Sequence, residues 1–234
     1  MFGLFRRGKK RPTGFDTRTP VNAASYVVVD TELTGLDEAK DCIVSIGAVR
    51  MEGGRIDLSN TFYRLVRPGT ALKAESVVIH EITPSEVVSQ PRIDTVFDEF
   101  LDYCGGDPLV GHFISLDLTF LNREMMQLYG SKLRNPVIDT FALYEWLRKR
   151  DRLNDCILSL RGVYRLYDIA TCFGIPVSSS HNAMMDAFTT AQLFQRFLPL
   201  LADTGVKDMS ELLKRGRPFE GGDRFRLTGE FGNF

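Results

Sequence analysis

The run Ser25-Tyr26-Val27-Val28-Val29-Asp30 constrains this chain more than any other stretch. Apolar, β-branched residues in unbroken sequence form a strand that is covered on both faces, which places it in the interior of a sheet with layers on either side. The run ends at a carboxylate, and a second one, Glu32, follows one residue later. Side chains two apart on a strand point the same way, so Asp30 and Glu32 share a face at the carboxyl end of a buried strand. That is where ligands gather in open α/β folds. Two like charges there are unfavourable unless something neutralises them. Oxygen donors of this kind select Mg²⁺ or Mn²⁺, whereas a zinc site would recruit several His or Cys. The chain has only three histidines, so a hard divalent cation is the expectation.

The rest of the sequence fits an α/β sandwich around a mixed sheet. Residues 42–51 read as a second strand, and Gly53-Gly54 as a turn into a third over 55–66. Thr83, Pro84 and Glu86 have the spacing of an N-cap, a first helical residue and a capping-box partner. A helix after Pro91 carries Ile93, Val96, Phe97, Phe100 and Leu101 on one face. Residues 108–114 are strand-like and lead to Asp117 at a strand-to-helix junction, where it could simply cap the helix. A fifth strand at 136–139 runs into a helix with Asp139 as its cap, residues 150–160 read as a loop, a helix precedes Gly174, and a last core helix covers 182–200.

Charge is uneven. Residues 1–20 carry Arg6, Arg7, Lys9, Lys10, Arg11 and Arg18 against Asp16, although the whole chain is at −1, so the body is acidic. An acidic body repels a polyanion unless bound cations invert the local field, while a basic leader attracts one. Cys42, Cys104, Cys156 and Cys172 have no paired spacing, which suggests neither a zinc knuckle nor a redox pair and fits a reducing cytoplasm. No run reaches the ~18 apolar residues of a membrane span and no secretory signal is present, so no integral membrane association is expected.

Beyond Asp30 and Glu32, three further groups complete a set suited to metal-assisted phosphodiester hydrolysis: Asp117, and His181 with Asp186 astride a helix start. The segment VVVDTELTGL (27–36) resembles the first motif of the DnaQ-like, or DEDD, superfamily of 3′-5′ exonucleases. GHFISLD (111–117) resembles its second motif and HNAMMD (181–186) its third, in the histidine-bearing (DEDDh) form. IHEITPSEV (79–87) and VIDTFAL (137–143) fit the intervening regions, so the likeness covers about residues 25–200. It includes the exonuclease domain of polymerase III epsilon-type proofreading subunits.

The resemblance implies a ribonuclease-H-like fold, with a five-stranded mixed sheet flanked by helices. It divides the chain into a basic leader (1–20), an exonuclease domain (21–202) and a C-terminal helix and tail (203–234). It makes Asp30, Glu32, Asp117 and Asp186 the ligands of two Mg²⁺ or Mn²⁺ ions, with Asp30 bridging, and His181 the general base. It places Thr31, Leu33 and the following backbone at the terminal nucleotide, with Leu36 as a wedge against the last base. Leu33, Phe113 and Leu116 depart from residues frequent in the family, which alters the pocket, and Phe113 is a candidate to stack on a base or to join the core. The activity implied is release of nucleoside 5′-monophosphates from single-stranded 3′ ends, DNA before RNA, in proofreading or repair. Some 30 residues follow the last core helix, which favours a free-standing enzyme or one docked on a DNA polymerase by a short tail. The rivals are an RNA-trimming exoribonuclease, a catalytically idle nucleic-acid-binding module on the same fold, and a small-molecule phosphodiesterase.

Overall fold

The computed structural model describes residues 15–153, 165–177 and 181–219. Most of the basic leader, the end of the tail and most of the expected 150–160 loop lie outside these residues. Strand β1 (Ser25–Leu33) is central in a five-stranded sheet of order β3-β2-β1-β4-β5. β2 (Ile43–Glu52) and β3 (Arg55–Leu65) form the expected meander, antiparallel to β1 and to each other. β4 (Leu109–Gly111) and β5 (Val137–Asp139) run parallel to β1, so the sheet is mixed.

Both faces are covered, as the unbroken apolar run in β1 requires. One face packs Val27 and Val29 with Phe97, Phe100, Phe120 and Leu121 of α3 (Ile93–Cys104) and α4 (Ser115–Tyr129). The other packs Tyr26 and Val28 with Phe141, Tyr144, Phe194 and Phe197 of α5 (Thr140–Arg148) and α7 (Ala183–Asp203). Between these helices in sequence stands α6 (Leu166–Cys172). The Thr83 capping box is formed at the start of α2 (Pro84–Val87). Ahead of it lies α1 (Ala74–His80), which begins without a side-chain cap and so had no start signal in the sequence.

The packed unit extends beyond 21–202. After α7 the chain turns into α8 (Met209–Arg215), whose Met209 and Leu212 are core residues. Val21 N donates to Lys207 O, Ser210 N to Thr17 O, and the Tyr26 hydroxyl to Val21 O at 2.8 Å, which ties both flanks to the foot of the sheet. Gly216 O accepts from Asp139 N, so the segment through α8 belongs with the core. Cysteine pairing also departs from expectation: Cys172 is disulfide-bonded, while Cys42 and Cys104 are free thiols. Pairing needs Cα atoms within roughly 7 Å, a distance that spacing along the chain does not report. Among the described residues no helix is long and apolar enough to cross a membrane.

Candidate active site

Asp30, Glu32 and Asp186 each bring a carboxylate oxygen within 4.8 Å of the others. Burial, and then the charges of Asp117, Glu32 and Asp186, hold the Asp30 carboxyl well above the usual range. Glu32 is pushed up to about 8, by burial first and then by Asp186 and Asp117. Like charges this close persist only with protons or cations among them. The donor set is all oxygen, so it fits a hard divalent cation and not a thiolate- or imidazole-selecting metal.

Asp117 arrives from the opposite helical layer. Helix α4 starts two residues before it, with Ile114 at the N-cap position and no side-chain cap, so Asp117 is not the cap. Its Oδ1 accepts instead from Thr31 N at 3.0 Å and Thr31 Oγ1 at 2.6 Å. These two bonds clip the second motif to the end of β1 between Asp30 and Glu32. Replacing Thr31 with Val keeps the shape and removes one charge-assisted bond. We expect a loss of about 1.5–3 kcal/mol in urea unfolding and an activity drop of about 10-fold. A variant matching the parent in both would show that the clip is dispensable.

Asp186 is carried in by the first turn of α7. Gly47 of β2 lies opposite Asp30 in the sheet and has the Ala183 backbone directly over it. Only the absence of a side chain at position 47 lets the helix descend this far. Asn182 caps α7 through Met184 N at 3.0 Å and donates its Nδ2 to Tyr63 Oη at 3.1 Å, anchoring the turn to β3. His181 is half-exposed, its Nδ1 3.8 Å from Asp186 Oδ2. The Asp186 carboxylate beside it raises the imidazole pKa above its ordinary value, against the opposing effect of burial. Tyr167 of α6 donates its hydroxyl to Asp186 Oδ1 and lays its ring 5.0 Å from that of His181. Burial, then the Asp186 hydrogen bond, push the Tyr167 pKa up, so it stays a donor. Tyr167 belongs to no motif, and no sequence signal marks it.

The other expected site residues divide. Leu36 is 57% exposed on the loop after β1. Leu33 is buried with Val27 and Val29, on the sheet face opposite the carboxylates, and the Thr31 hydroxyl is committed to Asp117. Both side chains are engaged within the fold. The Phe113 ring stacks on Phe141 with centroids 4.2 Å apart and belongs to the core edge. Its φ of 53° is held by its amide, which donates to Asp139 Oδ1 at 3.1 Å. Asp139 does cap α5, through Phe141 N at 2.9 Å, and burial pushes its carboxyl up to about 7. His112 hydrogen-bonds Thr140 Oγ1 at 2.9 Å, within the fold.

Asp41, on the loop after β1, is 2% exposed. It accepts from Lys73 Nζ at 2.7 Å, Asp37 N at 2.8 Å and Thr34 Oγ1 at 3.0 Å. Burial raises its pKa, but these bonds outweigh it and hold the carboxyl below the ordinary range. Arg123 of α4 adds bonds to Asp41 O and Glu38 O, so the loop bearing Leu36 is fastened from two sides.

A mixed sheet with carboxylates gathered at the end of its central strand defines a class, the nucleases of ribonuclease-H-like architecture. The chain belongs to the exonuclease family, whose model, described as Exonuclease, matches residues 27–194. It is a nuclease of the DEDDh type, in a family that depends on metal. It is 34% identical over 216 residues to the DNA polymerase III subunit epsilon of Aquifex aeolicus, spanning 89% of this chain and 99% of that protein. It is also 32% identical over 191 residues to the PolC-type DNA polymerase III of Thermotoga maritima, covering 82% of this chain but 13% of that protein. The fold resembles that of E. coli Exonuclease I in complex with a dT13 oligonucleotide, with a TM-score of 0.65 at 15% identity over 78% of this chain and 42% of that one.

Proposed function

We propose that this protein is a Mg²⁺- or Mn²⁺-dependent 3′-5′ exonuclease that releases nucleoside 5′-monophosphates from single-stranded DNA ends in proofreading or repair. The observation that carries the reading is the convergence of Asp30, Glu32 and Asp186 at one point, with Asp117 clipped to the same strand end. These four carboxylates would hold the two ions. When bound, the ions supply Lewis-acid activation of water and charge stabilisation at the scissile phosphate. His181 takes the proton of the attacking water, and its place at the mouth of the cluster leaves the ring open to solvent for passing that proton on. Leu36, on its fastened loop, bears on the terminal base without reading it. Position and preorganised charge carry the rate, with no covalent intermediate. Similarity along nearly the whole of a polymerase III epsilon subunit supports the DNA substrate and a polymerase as partner, and the basic residues ahead of residue 20 would add contacts to the strand.

The test is a time course on 5′-labelled single-stranded DNA and its RNA counterpart with Mg²⁺ or Mn²⁺. A ladder shortening from the 3′ end, faster on DNA, is the expected result. His181→Ala should lower the rate by about 10²–10⁴-fold. A base must be neutral, so the parent rate should fall as pH drops and the imidazole takes up a proton, and His181→Ala should lack that limb. No digestion of either polymer with either ion would overturn the reading, and faster digestion of RNA would move it to the exoribonuclease.

A further inference from the structure

Tyr167 is the one aromatic residue, among those described, that touches both Asp186 and His181. It stands 19 residues before Asp186 in the chain, on a helix that carries none of the three motifs, and reaches the site only through the packing of α6 against α7. Its hydroxyl donates to Asp186 Oδ1, while Oδ2 of the same carboxylate faces His181 Nδ1 at 3.8 Å. The two oxygens of Asp186 are thereby told apart, one fixed by a donor and the other turned toward the imidazole. A separation of 3.8 Å is too long for a hydrogen bond, so the carboxylate alone does not orient the ring. The Tyr167 ring, 34° from parallel with that of His181, is the surface on which the half-exposed imidazole rests.

We propose that Tyr167 is a positioning residue for the hydrolysis: its hydroxyl sets the rotation of the Asp186 carboxylate, and its ring is the shelf that keeps His181 facing the cluster. The proposal rests on the exonuclease reading above. The two contacts are separable because they use different parts of the side chain. Tyr167→Phe removes the hydroxyl and keeps the shelf, and Tyr167→Ala removes both. Helix α6 is anchored by Ile169 and Ala170, which are buried where Tyr167 is only part-buried, so the hydroxyl is not needed to hold the helix in place.

Mn²⁺ affinity by calorimetry, kcat and KM on a short single-stranded oligonucleotide, and thermal melting would be measured for the full chain and its variants. Tyr167→Phe is expected to weaken Mn²⁺ binding and lower kcat, each by about 10-fold, with KM and the melting temperature unchanged. Tyr167→Ala should lower kcat further and weaken its dependence on pH, because the imidazole is no longer held. In a His181→Ala background the Phe and Ala variants should become equal, since only the hydroxyl then matters. Parental Mn²⁺ affinity and kcat in Tyr167→Phe would overturn the role of the hydroxyl, and equal Phe and Ala variants in the parent background would overturn the shelf. Failure of the parent protein to digest any strand would instead strike the exonuclease reading, and the Mn²⁺ measurement would still read the orientation of Asp186.

Discussion

Replacing Asp30 with Asn is expected to remove hydrolysis, by about 10³-fold or more, and at the same time to make the metal-free protein more stable. The two effects share a cause. Asp30 stands among Glu32, Asp117 and Asp186, whose charges add to burial in raising its pKa. Deleting one charge relieves that repulsion, at about 2–4 °C in Tm for each kcal/mol recovered. The same crowding sets a pH dependence for the parent. Glu32 at about 8 and Asp30 well above its ordinary value bind protons more tightly in the folded than in the unfolded chain. Stability from these groups is therefore complete below the unfolded carboxylate pKa of ~4.3 and is lost as pH rises through the folded values. Asp139, at about 7, adds to the same slope. Melting curves without metal should fall from about pH 4.5 to 8, and Mg²⁺ or Mn²⁺ should flatten them by replacing the missing protons. A flat metal-free curve, or an active Asp30→Asn protein, would contradict this account of the cluster.

Gly47→Ala should be the most damaging substitution of a residue that does no chemistry. A Cβ at Gly47 would lie 2.2 Å from the Ala183 carbonyl carbon and 2.4 Å from Met184 N. Both neighbours are backbone, so neither can step aside as a side chain tip would. The start of α7 must lift, and it carries Asn182, His181 and Asp186 with it. Overpacking of this kind destabilises by about 1–3 kcal/mol, and misplacing catalytic groups by an ångström lowers rate by about 10²-fold. Gly54→Ala is the matched control, because its nearest neighbour is Leu198 Cδ1 at 3.9 Å. Urea unfolding and kcat on both variants would decide the point. An undiminished Gly47→Ala enzyme would mean that α7 is not seated by this contact.

Much of the fold was legible from local rules. The apolar run of β1 and the capping box at Thr83 signal themselves through residue type and spacing over a few positions. Helix α1 escaped because it is short and starts at Lys73 without a side-chain cap. Asp41 shows a different limit: an acid among polar loop residues has the local signature of a solvated charge, and only Lys73 and Arg123, arriving from elsewhere in the chain, bury it.

The sequence by itself determined which chemical groups this protein has to work with. Asp30 and Glu32 had to share a side because a strand alternates, and the five motif residues could be named because each sits at a recognisable spacing. Tertiary structure alone decided which groups meet and how. It put Asp117 on Thr31 across 86 residues, lowered α7 onto Gly47, brought Tyr167 to Asp186, buried Leu33 in the core and packed Phe113 against its edge. The physical reason is range: propensity and periodicity act over a few residues, whereas burial, packing and coupling among charges depend on neighbours that the chain delivers from far away.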